Sequence, residues 1–332
     1  MPEGPEVRRY AAALDSVLTN QRITSIEART KTARAWLEEH AGRLVGRRVE
    51  RVVSHGKHLL GYVEGGFYFH SHLMMWGRWQ TFSAHRNSNR AKSKSTSRVP
   101  ESPPNTVAFQ RGKFVLERDR RERARIVVPG GAAILLSAPI FNVGAGDPYQ
   151  QIEILRTLGP DALPYNRRFA AGEFTRRLLL PAHRDVPIGA ALLNQQIVAG
   201  LGNYLRAEIL FACRLNPWRA IKDLSDRDLN CLKRAIPKVA RRAYDFSSTA
   251  SDRDRERMSA DESLVYQPGR EIGTRHMVFR RTNLPCLRCG EPVRQLRQKT
   301  FHPNATEEDD ERTRIVYFCP KCQGVNRYDG LL

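Results

Sequence analysis

Removing Met1 from the run Met1-Pro2-Glu3-Gly4-Pro5-Glu6 would leave a free secondary amine at Pro2 with a carboxylate on the next residue. A small second residue such as proline permits that removal. An α-amino group has an ordinary pKa of about 7.7–8.0, so a useful fraction is neutral near pH 7. A neutral amine can attack a sugar C1′ and form an iminium, which is covalent amine catalysis. Glu3 is placed to give and take protons, and Glu6 follows a helical step later. The same five residues also read as an ordinary helix start, with proline in the first turn and acids favoured by the dipole.

Three further groups carry chemistry. Lys57 lies in the turn Ser54-His55-Gly56-Lys57, where an ammonium can reach a phosphate or a reacting sugar, or simply be solvated. Gly200-Leu201-Gly202-Asn203-Tyr204 separates two apolar-periodic segments. Its glycines let backbone approach a ligand, and Asn203 can cap the following helix and touch a phosphate. An ordinary helix–helix turn is the plainer reading. Cys286-x2-Cys289 and Cys319-x2-Cys322 are two knuckles that together supply four thiolates at tetrahedral corners, a closed structural zinc site. Iron also takes thiolates, but Gly290 and Gln323 after the knuckles and the basic composition favour zinc. Cys213 and Cys231 fall in helical segments and read as buried thiols.

The elements that must position these groups follow from periodicity. Pro5 to about Leu18 has helical spacing, as does Ala33 to Leu44. Short β-like runs cover Arg22–Ala28, Arg48–Ser54, His58–Val63, Gly66–Gln80, Arg125–Val128 and Ala132–Leu136. From Glu173 the pattern is helical, with segments at Ile188–Ile197, Tyr204–Ala212 and Asp226–Tyr244. A polar, basic insertion at about 83–120 reads as disordered, and Ser247 to Glu262 as a mobile loop. The acidic run Glu307 to Glu311 should bulge from the metal-bound tail. No internal repeat appears.

The 332 residues carry 55 Lys+Arg against 35 Asp+Glu, a net charge of +20. Such a balance points to a polyanion, because each neutralised phosphate releases condensed counterions. No run of about 18 apolar residues exists to span a membrane, and the N-terminus has no secretory stretch. Six cysteines in a chain of this length are no disulfide scaffold, so a reducing compartment is expected: cytosol, nucleoid or nucleus.

Taken together, the N-terminal PEGPE, the Gly56-Lys57 turn, LLNQQIVAGLGNYLRAEIL and the terminal CPKCQ, in that order, resemble the formamidopyrimidine-DNA glycosylase / endonuclease VIII family. The resemblance implies an α+β multidomain fold: an N-terminal β-sandwich with flanking helices at 1–160, a helix–two-turn–helix DNA-binding domain at 165–275 and a four-cysteine zinc finger at 276–332, around a DNA-binding cleft. It implies base-excision chemistry on damaged DNA, with Pro2 as nucleophile, Glu3 as general acid/base and Lys57 on the lesion-strand phosphate. Glu6 matches a carboxylate near the site. Asn203 would bind a backbone phosphate, and Arg314 would grip those flanking the flipped nucleotide, with Arg312 as second candidate. Met75, within His72-Leu73-Met74-Met75-Trp76-Gly77, matches the wedge that fills the gap left by an extruded base; Met74 could exchange with it, and both also read as strand core. One structural zinc ion, no small-molecule cofactor and a monomer are implied.

The sequence departs from the oxidised-purine branch in two regions. Ala138-Pro139-Ile140-Phe141-Asn142-Val143-Gly144 stands where that branch carries its Arg–Phe void-filling loop, and the Gly-rich loop before the finger is missing. PEGPE, AGLGNYLRAEIL and the Arg125 to Phe141 segment look closer to endonuclease VIII, which favours oxidised pyrimidines. Rival readings are an enzyme for 8-oxoguanine and formamidopyrimidines, and a noncatalytic DNA-binding protein on this scaffold.

Overall fold

The computed structural model describes residues 2–83, 107–110, 113–116, 118–260, 274–301 and 312–325. The chain forms two compact units. One holds the chain start to Pro2 and Glu6–Thr157, the other Glu3–Pro5 and Leu158–Leu332.

The first unit contains α1 (Gly4–Leu18, from Glu6 on), β1 (Ser25–Ala28), α2 (Lys31–Leu44), β2 (Val49–His55), β3 (His58–Val63), β4 (Phe67–His72) and β5 (Arg78–Ser83). It continues with β6 (Val107–Gln110), β7 (Lys113–Leu116), β8 (Glu122–Val128), β9 (Gly131–Leu136), β10 (Ile140–Ala145), α3 (Pro148–Gln151) and α4 (Glu153–Thr157). Two antiparallel four-stranded sheets result, β1-β8-β9-β5 and β10-β4-β3-β2. One core joins them: Ile126, Leu135 and Trp79 from the first sheet meet Leu59, Phe69 and Phe141 from the second, with Val7, Leu14 and Leu18 of α1. Fully burying an aliphatic or aromatic side chain contributes about 1.5–3 kcal/mol, so this shared core dominates the unit. The sequence run Gly66–Gln80 is two strands, broken by a turn at Leu73–Gly77.

Three expectations need correction. The segment at about 83–120 is not disordered throughout: β5 reaches Ser83, and β6 and β7 pair as an antiparallel hairpin. Residues 84–106, 111–112 and 117 of that stretch lie outside the described residues, as does the acidic run at 307–311. The stretch from Ser247 to Glu262 is not a loop, since Asp252–Ala260 forms helix α9 and Met258 buries one face of it. The Ile188–Ile197 segment keeps only a short helix before breaking into turns.

The second unit contains α5 (Ala171–Leu178), α6 (Ile188–Ala191), α7 (Asn203–Ala212), α8 (Asp226–Phe246), α9, the hairpin β11 (Arg294–Lys299) and β12 (Thr313–Phe318), and α10 (Pro320–Gln323). A capping box fixes the start of α8: Ser225 Oγ accepts the Asp228 N–H, and the Asp228 carboxylate accepts the Ser225 N–H. Leu205, Ile209, Leu232 and Ile236 share a buried cluster that joins α7 to α8. Cys213 and Cys231 are not free thiols. They form a disulfide from the C-cap of α7 to α8. Spacing gave no hint of it, because the two residues fall on separate helices. Among the described residues no helix is long and apolar enough to cross a membrane.

Candidate active site and metal centre

Glu3 is the best-defined element of the candidate site. Its side chain is 3% exposed, and its carboxylate accepts three backbone N–H groups at the start of α7. Gly202 N lies 2.8 Å from Oε2, Tyr204 N 2.9 Å from Oε1 and Leu205 N 3.2 Å from Oε2. Those amides would otherwise be the orphan donors of a helix end, whose dipole also favours negative charge. The Gly4 N–H adds a bond to Gly200 O at 2.8 Å. Gly202 is required by proximity: a Cβ there would fall 2.4 Å from Glu3 Cδ.

This arrangement overturns the capping role expected of Asn203. Gly202 is the N-cap and Asn203 the first helical residue. The cap comes instead from Glu3, far away in sequence. The Asn203 Oδ1 accepts from Arg206 Nη2, so the amide's Nδ2 hydrogens face no acceptor among the described residues. Arg206 is fully buried, and its guanidinium also donates to Ile315 O (2.7 Å) and Gln298 Oε1 (3.4 Å) on the hairpin. Burial holds its pKa down to about 9, with the Glu3 charge opposing and the Arg314 charge reinforcing that shift. One buried cation thus connects Asn203, Glu3 and the strand that carries Arg314. Sequence reasoning missed Arg206, although an arginine inside the apolar run of α7 demands partners. Glu208, two residues on, accepts the N–H groups of Met277 (2.8 Å), Val278 and Phe279 (both 2.9 Å). Arg312 and Arg314 are both exposed, and Arg314 lies in β12 opposite Gln298.

Pro2 is half-buried two residues before the start of α1, and Glu6 pairs with Arg9 at 3.3 Å on that helix. Lys57 follows Gly56, whose φ of +56° closes the tight turn from β2 to β3. Burial, with the Lys57 charge, holds the neighbouring His72 imidazole down to about 4. In the Leu73–Gly77 turn, Gly77 N–H bonds Leu73 O at 2.8 Å and Met74 N–H bonds His72 Nδ1 at 3.1 Å. The two methionines are therefore not strand core. Met74, Met75 and Trp76 all project, and Trp76 is 79% exposed. Trp76 was not singled out from the sequence; a large aromatic between a methionine pair and a glycine was the available signal.

Cys286, Cys289, Cys319 and Cys322 bring their sulphurs within 4.8 Å of one another. Edges of 3.9 Å (Cys286–Cys322), 3.5 Å (Cys289–Cys319) and 3.4 Å (Cys289–Cys322) suit a tetrahedron of four sulphurs about one metal ion. The donor set therefore fits a closed metal centre.

Residues 1–126 match the formamidopyrimidine-DNA glycosylase N-terminal domain, and residues 158–254 match the H2TH domain of the same family. A protein with that pair of domains is a DNA glycosylase/AP lyase of base excision repair. The chain belongs to the formamidopyrimidine-DNA glycosylase family, which also includes endonuclease VIII. Among its relatives are the Endonuclease 8 proteins of Salmonella schwarzengrund and Salmonella typhimurium, each 28% identical, covering 97% of this chain and all of theirs. Among solved structures, Lactococcus lactis Fpg (MutM) bound to a DNA containing N7-benzyl-Fapy-dG has a TM-score of 0.67 at 19% identity, covering 97% of this chain and 99% of that one. The same protein with abasic-site DNA gives 0.66 at 20% identity and the same coverage. At these identities the structural likeness shows the fold.

Proposed function

We propose that the chain removes oxidised bases, pyrimidines foremost, through a Pro2 Schiff base and then nicks the strand by β,δ-elimination. The observation that carries this reading is the Glu3 carboxylate, buried on three backbone N–H groups and directly following Pro2. Once Met1 is removed, the neutral Pro2 amine attacks C1′ and the C1′–base bond breaks; the C1′–O4′ bond then opens, its electron pair leaving with the ring oxygen, and an iminium joins Pro2 to the sugar. Glu3 protonates the ring oxygen and assists proton removal at C2′, where loss of a proton expels the 3′ phosphate. Lys57 holds the lesion-strand phosphate and aids elimination. Asn203, through its Nδ2 hydrogens, binds a backbone phosphate, and Arg314 grips the phosphates flanking the flipped nucleotide. Arg314 stands in β12 opposite Gln298, whose side chain accepts from the buried Arg206, and this anchored position favours it over Arg312 for the role. Met75, flanked by Met74 and Trp76, fills the gap in the stack.

Cys286, Cys289, Cys319 and Cys322 would hold one zinc ion. With four thiolates and no open position the ion would be structural, fixing the hairpin that carries Arg314. The oxidised-pyrimidine preference draws on the Endonuclease 8 relatives and on residues 140–145, which form strand β10 where the purine branch carries a void-filling loop. We place the protein in the cytoplasm or nucleoid, acting as a monomer on damaged DNA.

Borohydride trapping on untagged protein tests the reading, using oligonucleotides with thymine glycol, dihydrouracil, 8-oxoguanine or an abasic site. An adduct mapping to Pro2, strongest with the pyrimidine lesions, is expected. Strongest trapping on 8-oxoguanine would move the enzyme to the purine branch. Tight binding with no adduct on any of them would leave a noncatalytic DNA-binding protein.

A further inference from the structure

The sheet that ends in the Lys57 turn carries groups that none of these steps uses. His58 on β3 faces His72 on β4, and His70 on β4 faces Asn142 on β10. Strand alternation puts all four on one face, opposite that of the core residues Leu59, Phe69 and Phe141. A face turned from the core is ordinarily wet, yet His58 and His70 are 3% and 1% exposed. Buried imidazoles are costly unless their nitrogens are paired.

They are paired in series. Thr32 Oγ1 donates to Asn142 Oδ1 at 2.9 Å, Asn142 Nδ2 lies 3.3 Å from His70 Nδ1, and His70 Nε2 lies 3.0 Å from His58 Nδ1. The amide nitrogen of Asn142 has only hydrogens to offer, so His70 Nδ1 accepts. The single hydrogen of a neutral His70 is then on Nε2, where it is donated to His58 Nδ1. That leaves the His58 hydrogen on Nε2 as well. The His58 ring lies 4.7 Å from that of His72, whose Nδ1 accepts the Met74 N–H. His72 therefore carries its own hydrogen on Nε2.

We propose that Thr32, Asn142, His70 and His58 form a positioning relay that locks His58, and against it His72, as neutral Nε2–H imidazoles beside Lys57. The relay keeps a second cation away from the ammonium that holds the lesion-strand phosphate, and it holds His72 under the Met74 backbone. It rests on the role given above to Lys57. The groups facing His58 are His72, His70, His55 and Lys57; burial first, then the charge the three histidines would carry if protonated and that of Lys57, opposes a second proton on it. None of the four relay members touches the reacting atoms, so they are positioning residues.

Two measurements on the full chain test the relay. Imidazole ¹⁵N spectra of the histidine-labelled protein at pH 7 should show His58 and His70 as neutral Nε2–H tautomers; a hydrogen on Nδ1 of either overturns the proposal. The second is nicking of an abasic-site oligonucleotide between pH 5.5 and 8 by the wild type, His70→Leu and His70→Gln. Leucine strips His58 Nδ1 of its donor, so the variant should gain an acid limb centred near the ordinary histidine value of about 6.5, losing activity at least threefold toward pH 5.5. Glutamine places amide hydrogens where the imidazole Nε2–H was, so its profile should match the wild type. A His70→Leu profile superimposable on the wild type sinks the relay. Should that variant not fold, Asn142→Leu cuts the relay at its more exposed end and is read the same way. A wild type that never nicks would overturn the proposed function, and the tautomers would still decide the relay.

Discussion

The Oε2 of Glu3 accepts the N–H of Gly202 at 2.8 Å although 199 residues separate the two. A side chain from the chain start thereby caps α7, and the helix–two-turn–helix motif becomes part of the proposed catalytic apparatus as well as a DNA-binding element. Gly202→Ala would set a Cβ 2.4 Å from Glu3 Cδ, and backbone on one side with a buried carboxylate on the other leaves little room to give. We expect base excision and nicking to fall by about a hundredfold, the low end of what a positioned acid/base contributes, with DNA affinity changed far less. Single-turnover kinetics beside a binding isotherm separate the two effects. Equal losses in both would show that Gly202 serves binding rather than Glu3.

The exposed Met74-Met75-Trp76 turn makes a second, independent prediction. Apolar side chains entering a stack offset part of an unstacking cost of a few kcal/mol. A single strand has less stacking to replace. Met75→Ala combined with Trp76→Ala should therefore slow excision from a duplex at least tenfold and barely affect a single-stranded oligonucleotide. Equal slowing on both substrates would assign the turn to scaffold.

Much of this was legible in the sequence where a local signal existed. The periodicity of α1, α7 and α8, the short apolar run of β3 and the paired knuckles of Cys286/Cys289 and Cys319/Cys322 each report their own structure. What escaped depends on groups distant in sequence. The Asn203 cap failed because Glu3 took its amides. The Cys213–Cys231 bond joins two helices whose packing the sequence does not state. Strand β10 escaped because Ile140 to Ala145 alternates too weakly to mark an edge strand, although it supplies Asn142 to the histidine relay. The helix at Asp252–Ala260 was hidden by its charge, with Met258 its single buried anchor.

The Cys213–Cys231 disulfide closes a loop between residues 18 apart in sequence. Constraining a loop of that size in the unfolded chain contributes about 3 kcal/mol. A double Cys→Ser variant should lose roughly that amount in urea unfolding, and the folded wild type, isolated without reductant and stripped of metal, should show four titratable thiols. Six thiols would mean that the bond does not form in the isolated protein.

Stability should also fall in mild acid, and histidines set the window. Burial holds His58 down to about 2, His70 to about 3, and His72 and His276 to about 4, against about 6.5 in an unfolded chain. Between the folded and unfolded values the unfolded chain binds more protons, so stability rises with pH. The contribution of these four is complete above about pH 6.5 and is lost as pH falls, down to about 4 for His72 and His276 and to about 3 and 2 for His70 and His58, by at most roughly 1.4 kcal/mol per pH unit for each. Two half-buried carboxylates do not mimic this: hydrogen bonds from Arg121 hold Asp119, and those from Arg176 and Arg177 hold Glu173, down to about 2, so their loss comes at lower pH. Urea midpoints at pH 7.5, 6.0 and 5.0 measure the effect. A steady fall is expected, with His70→Gln falling less steeply. A flat profile down to pH 5 would mean that the buried histidines already carry protons in the folded chain.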